Sequence, residues 1–486
     1  MMENKNINAN DKRILFLLLF LPCLLIRRVL DNDTWFLLNS GRYVVEHGIP
    51  YIEPFSIHKN MEFVMQQWLT DVVFWNVYNK FGENGLYLII FLCYGIIIFL
   101  MYKLTMKVSQ GNIFVSFIVT LLSSILVYTY MVARPTIFTL GIVMIELNLL
   151  ENYALNRNIN YLLSLPILSL LMINLHAALW PILFIIILPY LIDSFDFKIG
   201  SVYSEGYGCK YLMLIVALMV ASAFLNPYGI DSMMYLVNST GHPEMNNIIE
   251  IKPPSVNNFS GALVYIYIAI IVFTYAFYRK GNTKWRYILL TAGTIYMVLS
   301  SIRNITYFAI CSLFPLSFFL KDFRFQENTF NNKTSIKILR YVLIVLIILI
   351  IFIINFNVKK DETTYFKYLD LNNTIDYIYN TENTTNIILY TGFNEGALVQ
   401  FRGLSTYIDP RAEVYFKKHN NMDDIFDEYF CMQKGGVFYK KVLDKYNFTH
   451  LIVSRNDILY AYLAEDSDYD LIYSNERYNL YKRKNI

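Results

Sequence analysis

Apolar runs of about 18 to 22 residues recur along this chain from Ile14 to about Asn355, each long enough to cross about 30 Å of hydrocarbon as a helix. A backbone in lipid must satisfy its own hydrogen bonds, so these runs are restricted to helices packed on one another. Charged residues make up 16% of the chain, against roughly 25% in a soluble domain. The shortfall is local: residues 357–486 have ordinary polarity. The expected fold is therefore an α-helical polytopic membrane domain over 1–356, followed by a small α/β domain over 357–486.

About eleven spans are expected, with cores at 13–30, 85–104, 112–133, 136–153, 160–176, 178–194, 211–226, 261–278, 286–302, 305–320 and 338–356. Lys and Arg mark alternate connections: Lys5, Lys12 and Arg13; Lys103 and Lys107; Arg157; Lys198 and Lys210; Arg279 to Arg286; and Lys321 to Arg340. The positive-inside rule places that set in the cytoplasm. The N-terminus is then cytoplasmic, and loops 31–84 and 226–260 and the whole tail face outward. The first run lacks a small-x-small cleavage site, so it is expected to remain as the first helix. Arg27 and Arg28, at its outer end, either snorkel or bind a lipid phosphate. The net charge of +3 and the lack of a basic, aromatic-interleaved patch argue against nucleic acid. Cys431 is the tail's only cysteine, which excludes a disulfide framework there.

The first outer loop is too long for a connector. Residues 34–47 and 66–82 show helical spacing of aromatic and aliphatic side chains, and Gly48 stands where a helix C′ glycine would. Both segments are expected to lie in the membrane interface, with Trp35, Trp68 and Trp75 at headgroup depth. The loop opens on Asp31-Asn32-Asp33-Thr34-Trp35. Carboxylates at the mouth of a membrane helix are costly to desolvate and mark functional sites.

Asp33, Arg42, Gly48 and Ile49-Pro50 resemble the spacing of lipid-dependent glycosyltransferases of the GT-C superfamily, in the branch of protein mannosyltransferases and the lipid A aminoarabinose transferase. That branch usually has Glu after the Asp, where this chain has Thr34, and here the second carboxylate is Asp31 instead. The chain is also similar to a set of bacterial membrane proteins with a D-x-D-x-W…G-R…H-G-x-P pattern. Their further motifs appear here as Pro54-Phe55-Ser56, Trp68-Leu69, Ala133-Arg134-Pro135, Asn174-Leu175-His176, Asn226-Pro227-Tyr228-Gly229 and Arg303-Asn304, and Glu53 stands where an Asp is usual. The resemblance implies a GT-C-like membrane fold with two juxtamembrane helices in the first outer loop. It also implies a polyprenyl-phosphate-linked sugar donor and hexosyl or pentosyl transfer, with inversion expected.

Such a transfer needs a carboxylate to accept the acceptor's proton and cations to hold the phosphate. Asp33 is the candidate base; its alternative use is as the N-cap of the helix that follows. Asp31 either tunes its neighbour, binds the acceptor, or joins Asp33 in holding a divalent ion such as Mg or Mn. Arg303, Arg134 and Arg42 are candidate phosphate clamps, because a guanidinium matches phosphate oxygens in a fork. Arg134 has a snorkelling alternative, and Arg42 an i,i+4 pair with Glu46. His176, His58, Glu244 and Glu250 are candidate substrate contacts, with a hydrogen-bonded buried histidine as the alternative for His176. The sequence shows no zinc-spaced Cys/His cluster and no nucleotide-binding glycine loop. A donor without a nucleotide suits a reaction outside the cytoplasm.

The tail is expected to begin at a polar hinge and to hold strands near 386–390, 405–408, 450–453 and 470–473, with helices at 421–431 and 436–446. Gly392…Glu395-Gly396 and Asp409-Pro410-Arg411 follow strands and read as turns or as binding loops. The expected function is membrane glycosyl transfer onto an envelope glycan, lipid or protein at the outer face of a bacterial cytoplasmic membrane. Its rivals are a lipid-linked glycan transporter or flippase and a non-catalytic envelope-assembly protein on the same scaffold. Glu146 reads as almost the only ionisable residue deep in a span, which counts against transport.

Overall fold

The structure is a computed structural model that describes residues 9–242, 244–245, 248–278, 281–323 and 332–484. The N-terminal part holds α1 (Ala9–Leu18), α2 (Asn32–His47), α3 (Trp68–Val108), α4 (Ile113–Val127) and α5 (Thr136–Asn156). Next come α6 (Leu165–Leu175), α7 (Ile182–Asp193), α8 (Lys210–Ala223), α9 (Ile230–Ser239) and α10 (Phe259–Phe277). The series continues with α11 (Trp285–Ser300), α12 (Ile305–Cys311), α13 (Leu313–Phe319) and α14 (Asn332–Thr381). Each of the eleven expected span cores overlaps helical backbone, although residues 26–30 of the first are not helical. Among the described residues, Trp68–Val108, Ile113–Tyr130, Thr136–Asn156, Phe259–Phe277 and Ile302–Phe319 are long and apolar enough to cross a membrane. Leu88, Leu92 and Ile96 form an exposed stripe on α3. Such a stripe is costly in water and ordinary against lipid tails.

Both helices expected in the first outer loop are present. Gly48 ends α2 with φ 85°, as its position implied. Gly82 interrupts α3 with φ 61° and ψ −156°. That conformation suits glycine, and it separates the interfacial stretch 68–81 from the spanning stretch beyond. Gly41 lets α2 cross α3 closely: a Cβ there would lie 2.0 Å from the Asp71 carbonyl oxygen. The stretch 230–239 of the second long loop is also a helix, α9.

Two sequence expectations need correction. The polar hinge at 357 is absent, because α14 runs unbroken from 332 to 381 across that point. Arg27 neither snorkels nor stands free for a lipid: its Nε donates to Asp361 of α14 at 2.9 Å. Burial of charge is also wider than Glu146, through a cluster at the helix ends. Arg286 is fully buried and pairs with Glu151 at 2.9 Å and Asp193 at 2.5 Å. Those three groups pair at the ends of α5, α7 and α11, so Glu146 keeps its place as an ionisable residue deep in a span.

Short strands β1 (Lys198–Ile199), β2 (Val202–Tyr203) and β3 (Thr283–Lys284) lie at that same end of the bundle. The tail forms a four-stranded sheet of β4 (Leu389–Tyr390), β5 (His450–Ser454), β6 (Tyr469–Ser474) and β7 (Tyr478–Arg483), in the order β4-β5-β7-β6. β4 pairs parallel to β5, and the other pairings are antiparallel. The expected strand at 405–408 contributes only bridges, through Thr406 to Leu389 and Ser56. Helices α15 (Gly396–Phe401), α16 (Lys417–Asn420), α17 (Ile425–Gln433), α18 (Tyr439–Tyr446) and α19 (Ile458–Leu463) complete the tail.

The tail docks on the loop between α2 and α3. Ile57 N–H donates to the Thr406 carbonyl at 3.0 Å, and Arg411 donates to Glu53 at 2.6 Å. Asp409 receives Arg411 Nε and Gln400 Nε2, each at 2.9 Å, and the Tyr415 hydroxyl at 2.5 Å. The Arg411 guanidinium holds the buried Asp409 carboxyl below its usual range despite burial, which acts the other way. Such a buried pair needs every lone pair met, and Glu53 completes it from the other side of the interface.

Candidate active site

Asp31 and Asp33 enter on the first turn of α2. Asp31 is the N-cap: its Oδ1 accepts from Thr34 N at 3.1 Å and from Thr34 Oγ1 at 2.7 Å. The capping role foreseen for Asp33 therefore belongs to its neighbour. Asp33 sits inside the first turn, with 28% of its side chain exposed. Arg134, in the turn before α5, lies between the two carboxylates. It reaches Asp31 Oδ2 at 2.7 Å, Asp33 Oδ2 at 3.1 Å and Glu250 Oε2 at 3.4 Å.

These groups line a cavity of about 470 Å³ between the bundle and the tail. Arg303, from the turn before α12, lines it too. Its side chain is exposed and has no hydrogen bond or ion pair among the described residues, so it is a free cation facing the carboxylates.

The electrostatics separate the two aspartates. Burial opposes ionisation of both. At Asp31 it is outweighed by the Arg134 guanidinium and the Thr34 hydrogen bonds, so its carboxyl lies below the usual range. Asp33 lacks those bonds. Burial, and secondarily the charges of Asp31 and Glu250, outweigh Arg134 and Arg303 and push its carboxyl up to about 7. A carboxylate poised near neutrality suits proton abstraction.

Four candidates from the sequence lie outside the cavity. Arg42 points to another face of α2, where it donates to Asn39 Oδ1 at 2.7 Å and to the Phe401 carbonyl at 3.0 Å. Its guanidinium stacks over the Trp75 and Phe401 rings and ties α2 to α15 rather than pairing with Glu46. His58 is buried against the tail, its Nε2 2.8 Å from the Tyr407 carbonyl. Glu244 pairs with Lys434 of the tail at 2.6 Å. The buried His176 shares a 2.8 Å hydrogen bond with Thr139. Its neighbours serve architecture: Trp68 Nε1 donates to Asn174 at 2.9 Å, and Thr70 donates to the Leu175 carbonyl at 2.8 Å. The Asn174-Leu175-His176 motif thereby fixes the start of α3.

Gln67 and Asp71 line the cavity without having stood out in the sequence, and Arg411, from the Asp409-Pro410-Arg411 turn or binding loop, lines it too. Asp71 carries the only charge between Glu62 and Lys80, a signal that aromatic periodicity obscured. A divalent ion held by both Asp31 and Asp33 would share them with the Arg134 guanidinium, which takes one oxygen of each. Among the described residues no group of three or more His, Cys, Asp or Glu is placed to hold a metal.

No protein-family model matches the chain, and no curated protein matches its sequence. Solved structures do. The archaeal oligosaccharyltransferase AglB from Archaeoglobus fulgidus, in complex with an inhibitory peptide and a dolichol-phosphate, superposes with a TM-score of 0.63 at 12% identity, over 91% of this chain and 69% of that one. ArnT from Cupriavidus metallidurans, bound to undecaprenyl phosphate, superposes with a TM-score of 0.54 at 11% identity, over 97% of this chain and 98% of that one. The chain thus shares the fold of these two proteins, with the small sheet-containing domain at its C-terminal end.

Proposed function

We propose that this protein moves a sugar from a polyprenyl-phosphate donor to an acceptor hydroxyl at the outer face of the cytoplasmic membrane. Asp33 is the general base. The acceptor O–H proton passes to Asp33, the freed oxygen bonds to the anomeric carbon, and the bond from that carbon to the phosphate oxygen breaks. The electron pair leaves with the polyprenyl phosphate. Arg303 meets the charge that grows on the phosphate, with Arg134 beside it, since positioned cations act most strongly where charge develops. Asp31 is occupied by the cap and by Arg134, whereas Asp33 engages Arg134 through Oδ2 alone, and a single displacement with inversion suits Asp33 as the base.

One arrangement carries this reading: Asp33, whose carboxyl burial pushes up to about 7, and the Arg303 guanidinium, without a hydrogen bond or ion pair among the described residues, line one cavity at the end of the helix bundle. The fold shared with proteins crystallised with dolichol-phosphate and undecaprenyl phosphate supports the donor class. The test compares envelope glycans from cells carrying wild-type protein, Asp33→Asn or no protein. Asp33→Asn is expected to match the deletion, because a positioned general base contributes about 10² to 10⁴ in rate. A wild-type glycan profile from the variant, alongside a changed one in the deletion, removes Asp33 from the mechanism.

A further inference from the structure

The far wall of the cavity holds polar atoms that the protein leaves unmet. Asp71 is 0% exposed, and neither of its carboxylate oxygens has a hydrogen-bond partner. Gln67 is 8% exposed with Oε1 unmet, and Arg411 is 6% exposed with Nη1 unmet. All three residues line the cavity that holds Asp33. Buried polar groups without partners are uncommon and call for an explanation. Neighbouring structure gives none here: Gly41 brings α2 against the Asp71 backbone and leaves the carboxylate unengaged, while Arg411 spends Nε and Nη2 on Asp409 and Glu53.

From this wall we infer a subsite for a carbohydrate acceptor, formed by Gln67, Asp71 and Arg411 and facing the donor end at Arg134 and Arg303. The inference rests on the glycosyltransferase reading and names the acceptor class. The unmet set is two Asp71 carboxyl oxygens, Gln67 Oε1 and Arg411 Nη1, which carries two N–H donors. A pair of sugar hydroxyls matches it, because each hydroxyl donates one hydrogen bond and accepts two. An ionised phosphate or carboxylate ligand supplies only acceptors and leaves the Asp71 and Gln67 oxygens unmet. Phe36, Phe63, Phe393 and Tyr429 add ring faces to the same cavity, suited to the C–H faces of a pyranose.

The test uses the full-length protein in lipid nanodiscs, with tryptophan fluorescence as readout, since Trp68 directly follows Gln67. Maltose, lactose and N,N′-diacetylchitobiose are titrated beside a capped serine-containing tripeptide. The saccharides are expected to bind saturably and the peptide not. Asp71→Asn and Gln67→Leu should each weaken the saccharide at least tenfold, while Arg42→Lys, outside the cavity, leaves it unchanged. Asp71 has no hydrogen-bond partner to lose, so its Asn variant should fold, and its melting midpoint checks this. Saturable binding by the peptide alone, no saturable saccharide binding, or saccharide binding unaltered in both wall variants overturns the inference. A normal envelope glycan from Asp33→Asn cells, with the titrations as expected, removes the base and leaves the subsite standing.

Discussion

Asp31 and Asp33 stand two residues apart on one helix, yet their removal should shift stability in opposite directions. Asp33 is raised from 3.8 to about 7 in the folded protein. Above pH 7 its ionised form therefore costs the fold about 4 kcal/mol at face value. With 28% of the side chain open to water, screening reduces this to about 2 kcal/mol. Asp33→Asn removes that cost. For a chain of 486 residues, unfolding entropy gives about 1 kcal/mol per degree, so the midpoint should rise by roughly 2 °C at pH 8. The sign follows from linkage: between pH 4 and 7 the folded state binds a proton that the unfolded chain has released, so stability falls as pH rises. The gain from Asp33→Asn should fade as pH drops toward 4. Asp31→Ala does the reverse. It removes the cap, worth about 1 kcal/mol, and a charged hydrogen bond to Arg134, worth about 1.5–3 kcal/mol. Its midpoint should fall by roughly 2–4 °C. Scanning fluorimetry at a fixed rate in one detergent, at pH 5 and pH 8, measures both. An Asp33→Asn protein that melts several degrees below wild type at pH 8, or a gain that does not change with pH, refutes the electrostatic division of the pair.

Glycosyl transfer should decline below pH 7 with unit slope, as Asp33 takes up its proton. Glu250→Gln removes a neighbouring negative charge and should move that limb about half a unit to one unit toward acid, measured as transfer rate against pH. Arg303→Ala should weaken capture of radiolabelled undecaprenyl phosphate by about tenfold or more, whereas Arg42→Ala should leave capture unchanged. Gly41→Ala, whose Cβ would sit 2.0 Å from the Asp71 carbonyl oxygen, forces α2 and α3 apart and should cost about 1–3 kcal/mol or more in thermal unfolding. Asp409→Asn strips the buried Arg411 of its main partner and should cost about 3–5 kcal/mol, read as earlier proteolysis of the tail on heating.

The helices were legible because lipid enforces them. Every apolar run had to become a helix, and two errors of extent are the first run, which loses its helix after Leu25, and α14, whose polar continuation past 357 carries no glycine or proline to stop it before Thr381. The tail was harder to read. β7 was missed because Tyr478–Arg483 ends in charges and lacks a clean alternation, and it is placed by pairing with β5 and β6 rather than by its own pattern. At the site, the two aspartates, Arg134, Arg303 and Glu250 were found from one principle: charge at a membrane surface needs a reason. That principle says nothing about direction. Arg42 met it as well as Arg134 did, but it lies on the face of α2 that meets α15. His58 and Glu244 met it and are engaged by the tail. Asp71 and Arg411 show the converse. Each reads locally as an ordinary helix or turn residue, and each gains its place only when residues 31–84 and the tail close over the same cavity. A chemical site assembled from segments more than 300 residues apart in sequence is set by docking. The ionic bridge from Glu53 to Arg411 holds that docking together, so the far wall of the cavity depends on the tail as much as the base depends on α2.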